Sequence, residues 1–158
     1  TCALPIADVQ KGETVTDLYG GVGLFGVPLL RAAGARGHLY SVESAPSSYM
    51  DARVNLTGLG KLTLRKWSVS PRAVNDAVFP GSVGVVDPPR TGLGRGVAAA
   101  IGARAPRRLV YVSCDAPTFA RDLAALQMAG FGLKNLRVFD LFPMTEHVEL
   151  VATLDLLP

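Results

Sequence analysis

The chain has 158 residues, 49% of them hydrophobic, enough for one domain around a buried core. Sixteen basic residues against 13 acidic ones leave a net charge of +3, which is compatible with a nucleic-acid partner without demanding one. Two cysteines, Cys2 and Cys114, exclude a disulfide scaffold and a CxxC metal pair, and Gly and Pro interrupt each apolar run before it could span a bilayer. No signal-peptide pattern is visible, so cytoplasmic residence is expected. A single domain over residues 1–158 is expected, and the start at Thr1 rather than Met suggests a piece of a longer protein.

Short β-rich runs alternate with helical stretches, which predicts an α/β architecture. Strands are predicted over 14–19, 38–42, 62–66, 83–87, 109–113, 135–140 and 147–154. Helices are predicted over 24–33, 46–56, 95–104 and 118–129, with Gly34 and Gly130 as stops. Phe119, Leu123 and Leu126 give the last helix its apolar face. Only residues 141–146 separate the last two strands, too few for a helical crossover. The final strand should therefore run antiparallel to its neighbour.

Four stretches carry chemistry. Asp17-Leu18-Tyr19-Gly20-Gly21-Val22-Gly23-Leu24 reads as a strand running into a glycine turn, where backbone passes close to a ligand. Gly21, Gly23 and Gly26 also satisfy a G-x-G-x-x-G spacing, so a nicotinamide dinucleotide stays open at this point. Glu43 ends the second strand, where an acid accepts ribose hydroxyls of either NAD or S-adenosylmethionine; a solvated strand end is the bland alternative. Asp87-Pro88-Pro89-Arg90 follows the fourth strand. The two prolines cannot extend a ladder, and they hold Asp87 at the strand's C-terminal edge.

Cys114 ends the run Leu109-Val110-Tyr111-Val112-Ser113. A lone strand cysteine is more often packing than chemistry, but a helix N-terminus beyond it would favour the thiolate. Arg121, one turn into that helix, could add positive charge or bind phosphate. In Phe139-Asp140-Leu141-Phe142-Pro143-Met144-Thr145-Glu146-His147-Val148-Glu149, His147 alone reads as structural. Phe142 reads as core or as a stacking partner, and Glu149 alone could simply face solvent.

Taken together these stretches resemble the RNA uracil-5-methyltransferase family. Its pattern runs Asp-Leu-Tyr-Cys-Gly-x-Gly, Asp-Pro-Pro-Arg-x-Gly, Ser-Cys-Asn-Pro-x-Thr-x-Ala-Arg-Asp-Leu, then Asp-x-Phe-Pro-x-Thr-x-His-Val-Glu. Residues 17–23, 87–92, 113–123 and 140–149 match in that order. The resemblance implies a Rossmann-like class I methyltransferase fold. That is a mostly parallel seven-stranded sheet with an antiparallel C-terminal hairpin strand and helices on both faces. It also implies that Cys114 is the nucleophile and Glu149 the general base. Asp17, Tyr19, Gly21, Gly23, Leu24, Glu43 and Asp87 would bind the cofactor, S-adenosyl-L-methionine. The implied substrate is a uridine of tRNA or rRNA, with no metal, no membrane and no obligate protein partner.

The sequence departs from the pattern in three places. Gly20 replaces the motif cysteine, Asp115-Ala116-Pro117 replaces Asn-Pro-x, and Ser68 stands where an acid on the adenine side is usual. An acid beside the thiol would tend to raise its pKa. The family's Gln-containing segment and small RNA-binding β-barrel have no counterpart in the residues given, so the resemblance implies the C-terminal catalytic portion of a longer protein. Two competing expectations remain: a non-catalytic RNA- or cofactor-binding module on a decayed methyltransferase fold, and an NAD-dependent oxidoreductase. Asp-Pro-Pro-Arg and the strand-end cysteine argue against the second.

Overall fold

The computed structural model describes residues 7–140 and 148–158. The predicted turn over 141–146 and the residues Cys2, Phe142 and His147 lie outside them. Among the described residues, strands and helices alternate as expected: β1 (Thr14–Leu18), α1 (Gly26–Ala33), β2 (His38–Val42), α2 (Pro46–Leu56) and β3 (Lys61–Arg65). There follow α3 (Pro71–Ala77), β4 (Val83–Val86), α4 (Val97–Arg104), β5 (Arg108–Ser113), α5 (Ala116–Met128), β6 (Phe131–Phe139) and β7 (Glu149–Leu156).

The seven strands form one sheet in the order β3-β2-β1-β4-β5-β7-β6. β1 to β5 are parallel, and β7 enters between β5 and β6 antiparallel to both. The order reverses between β1 and β4. In open α/β sheets, ligands bind outside the strand C-termini at such a reversal.

β4 reads Val-Gly-Val-Val and is buried throughout, as a central parallel strand covered on both faces must be. On one face Leu29 and Leu30 of α1 and Ala52 and Leu56 of α2 pack over Val15, Leu39, Val85 and Val110. On the other, Val74, Ile101, Phe119 and Leu126 of α3, α4 and α5 pack over Leu18, Val86 and Tyr111. Period-two alternation along the buried strands β1, β2, β4, β5 and β7 feeds both cores at once.

Two elements differ from expectation. Helix α3 was not predicted, and β6 begins at Phe131 rather than at residue 135, with a register shift between Leu133 and Asn135. The bulge inserts an unpaired residue and breaks the alternation that would have marked the strand. Smaller shifts at element ends matter for the site. Tyr19 lies just past β1 with a left-handed φ of 64°, and α1 begins at Gly26 rather than Leu24.

Candidate active site

The C-terminal ends of β1, β2, β4 and β5 and the start of β7 meet at one edge of the sheet. Antiparallel insertion explains the last: β7 begins where its parallel neighbours end. The register pairs Val112 with Val151 and Ser113 with Leu150. The pairing ends there, and Cys114 and Glu149 are the next residues along the two chains at this edge. Cys114 is a half-buried free thiol at the start of the turn into α5. Asp115 caps that helix, its Oδ1 accepting the Thr118 N–H at 2.9 Å. The carboxylate is thereby directed at the helix N-terminus, where negative charge is favoured.

A cavity of about 580 Å³ opens at the strand reversal, lined among others by Tyr19, Glu43, Ser68, Asp87, Thr91 and Gly92. Of the residues expected to bind the cofactor, it gathers Tyr19, Glu43 and Asp87. Gly21 and Gly23 shape the turn from outside. Glu43 accepts the Gly21 N–H at 2.8 Å and the Ala45 N–H with its other oxygen, fixing the glycine turn over the end of β2. Gly23 has φ +89°, and a Cβ there would press on Leu56. Leu24 does not line the cavity; it lies in the turn before α1, 60% exposed.

Asp17 is fully buried beneath the turn. Neither carboxylate oxygen meets a donor in hydrogen-bond geometry, although the Gly26 N–H faces it. Ser41, its register partner on β2, is buried with an equally unpartnered hydroxyl. Gly20 lies over this pair, and a Cβ at position 20 would overlap the Ser41 oxygen. The family's cysteine would therefore need Ser41 to rotate away.

Electrostatics single out the same edge. Burial, reinforced by the charges of Asp87 and Glu43, pushes Asp17 up to about 7. Burial and the nearby Glu149 push Asp87 up to about 6, and burial raises Glu149 above its ordinary value. Carboxylates that crowd one another in low dielectric resist ionising together. Such a row is relieved by a cation.

A second set of side chains ties the loop after β4 to α5, and sequence reasoning missed its centre. Asp122 is 3% exposed; its Oδ2 accepts the Leu93 N–H at 2.6 Å and the Tyr111 hydroxyl at 2.7 Å. The signal was present: Phe119, Asp122 and Leu126 share a helical face, so a carboxylate sits among core positions. Arg121, expected to offer free positive charge, instead donates to Asp122 and to the Thr91 carbonyl.

Comparison with known proteins assigns the chain to a family. The family model for tRNA (uracil-5-)-methyltransferase matches residues 74–155. The chain belongs to this family. A relative from Streptomyces coelicolor described as an uncharacterized RNA methyltransferase is 42% identical over 92% of this chain and 32% of its own length. Another so described, from Corynebacterium efficiens, is 41% identical over 92% of this chain and 34% of its own. The chain thus spans about a third of the curated relatives it matches. Among solved structures, the Pyrococcus abyssi tRNA (uracil-54, C5)-methyltransferase in complex with S-adenosyl-L-homocysteine is 30% identical. It superposes with a TM-score of 0.74 over 97% of this chain and 37% of that one. The NSun6 structure from Pyrococcus horikoshii, at 12% identity and TM-score 0.78, shares the fold.

Proposed function

We propose that this chain is the methyl-transferring part of an RNA methyltransferase that modifies carbon 5 of a uridine through a covalent Cys114 adduct. One observation supports the reading: β7 begins where β5 ends, so Glu149 and Cys114 belong to the same sheet edge, where Asp87 of the cavity wall feels the charge of Glu149. The row of Glu43, Asp17, Asp87 and Glu149 suits a cationic cofactor, and S-adenosylmethionine carries both a sulfonium and an ammonium charge. Glu43 and Asp87 would hold it from the cavity wall, with Tyr19 beside them, while Asp17 acts from beneath the turn. Bound there, it supplies the methyl group.

Carbon 5 of uracil is a poor nucleophile. The Cys114 thiolate adds to carbon 6, forming a C–S bond and moving the ring's electron pair into an enolate that makes carbon 5 nucleophilic. After carbon 5 is methylated, Glu149 removes its remaining proton. The electrons re-form the 5,6 double bond and expel the thiolate. A carboxyl whose pKa is raised by burial is a stronger base than an exposed one, which suits Glu149 to this step. The uridine must leave its stack to reach the thiol, so a loop or flipped base is the fitting substrate.

The test uses the full-length protein carrying this chain, with tRNA or rRNA and labelled S-adenosylmethionine. Cys114→Ala should lower methylation by at least 10³-fold; activity near wild type would rule the covalent route out. Glu149→Gln should accumulate a methylated protein–RNA adduct that survives denaturing electrophoresis, and its absence would remove Glu149 from the role of base.

A further inference from the structure

Residues 90–93 follow the Asp87-Pro88-Pro89 wall of the cavity, and Arg90, Thr91 and Leu93 are hydrogen-bonded to side chains of α5. The Arg90 carbonyl accepts the Thr118 hydroxyl at 3.0 Å, and the Thr91 carbonyl accepts Arg121 Nη2 at 2.8 Å. The Gly92 N–H turns back to the Pro89 carbonyl at 2.7 Å, and the Leu93 N–H reaches Asp122 Oδ2 at 2.6 Å. Gly92 has φ +76°, and a Cβ there would overlap Asp122, Arg121 and Thr118, so the loop lies directly on these side chains. Asp122 is the hub. Its Oδ1 accepts Arg121 Nε at 3.0 Å and Nη2 at 2.8 Å, and its Oδ2 also accepts the Tyr111 hydroxyl from β5.

A carboxylate in a core position of a helix is costly unless it is fully bonded, and an apolar residue would pack there at lower cost. These bonds are not spent within the helix or the sheet alone. They join the wall of the cavity to the helix that begins two residues after Cys114. We infer that Asp122, with Arg121, is a positioning residue for methyl transfer. It fixes the loop over residues 90–93, whose Thr91 and Gly92 line the cavity, relative to the thiol and so sets the alignment of methyl donor and uracil. The inference rests on the methyltransferase reading above. It needs no contact between Asp122 and either substrate. A misplacement of about 1 Å at a reacting centre can cost on the order of 10²-fold in rate.

The experiment compares Asp122→Asn, Arg121→Gln and the double variant with wild type in the full-length protein. Arg121 is 58% exposed, so Arg121→Gln keeps the core intact even if Asp122→Asn does not fold. At saturating RNA and cofactor, each foldable variant should lose at least fivefold in kcat. The calorimetric Kd for S-adenosylhomocysteine should change by less than threefold, and the double variant should be no worse than the poorer single one. Smaller losses, losses matched by Kd, or losses that multiply would overturn the role in alignment. Hydrogen exchange at the Gly92 and Leu93 amides reads the clamp itself. It should speed at least tenfold in the variants, and unchanged exchange would sink the proposal whatever the activity. A wild-type protein that methylates no RNA, yet shows the exchange effect, would fail the methyltransferase reading and leave the clamp standing as a structural device.

Discussion

Asp115 stands where the family pattern has Asn, and the structure gives both residues the same task. Its Oδ1 caps α5, a position at which Asp and Asn serve about equally. Asp115→Asn should therefore change stability by only a few tenths of a kcal/mol, whereas Asp115→Ala should cost about 1 kcal/mol in urea melts. From sequence, the acid beside the thiol looked like a threat to its ionisation; the direction of its side chain was not legible there. Glu43 and Asp87 were legible, because a strand that stops at an acid fixes where that acid lies before any contact is known. Asp122 was not, because its partners Leu93 and Tyr111 are 29 and 11 residues away. A pattern shows that a charge occupies a core face, but not what satisfies it.

The elements whose limits sequence missed share a physical cause. α3 has seven residues, too few for an apolar stripe to declare itself, though Ser70 followed by Pro71 is a helix-start signal and Ser70 indeed caps it. β6 is an edge strand exposed along most of its length, so no buried face imposes alternation on it. Buried strands and long helices were legible because burial writes a period into them. Helix packing adds a constraint no propensity scale contains. Gly102 lies in the interior of α4, where Ala would be favoured by roughly 0.8–1 kcal/mol. Yet a Cβ there would overlap the backbone of Ala129 at the end of α5. Gly102→Ala should therefore destabilise the chain by about 1–3 kcal/mol, as overpacking does, and thermal melting gives the sign directly.

Across the whole molecule the two edges of the sheet respond oppositely to pH. At the N-terminal edge, Arg107 pairs with Glu13 and Arg108 with Asp155, and these bonds hold both carboxyls below their ordinary range. Their stabilisation is present above the unfolded pKa and is lost as pH falls through the folded one. At the C-terminal edge, Asp17, Asp87 and Glu149 are raised, so folding there is favoured at low pH and opposed as pH climbs through about 6 to 7. Asp17→Asn should raise stability at pH 8 by on the order of 4 kcal/mol, an advantage that fades below the ordinary value of 3.8. Melts at the two pH extremes check it. On the proposed reading, the affinity for S-adenosylmethionine should rise between pH 5.5 and 7.5, as Asp87 in the cavity wall loses its proton; calorimetry across that range would show it. No helix among the described residues is long and apolar enough to cross a membrane.

The place of β7 has a consequence for assembly. β6 joins the sheet only through β7, and β7 joins β5 across a separation of 47 residues at the Arg108–Asp155 pair. The hairpin can form locally, but it finds its seat only when β5 is in place to receive it. Glu149, the first residue of β7, comes to the edge that carries Cys114 by that docking. Closure of the sheet and arrival of the proposed proton acceptor are thus a single event. On the mechanism proposed above, a chain whose hairpin has not yet docked would have a thiol able to add to a base but no carboxylate to let it go.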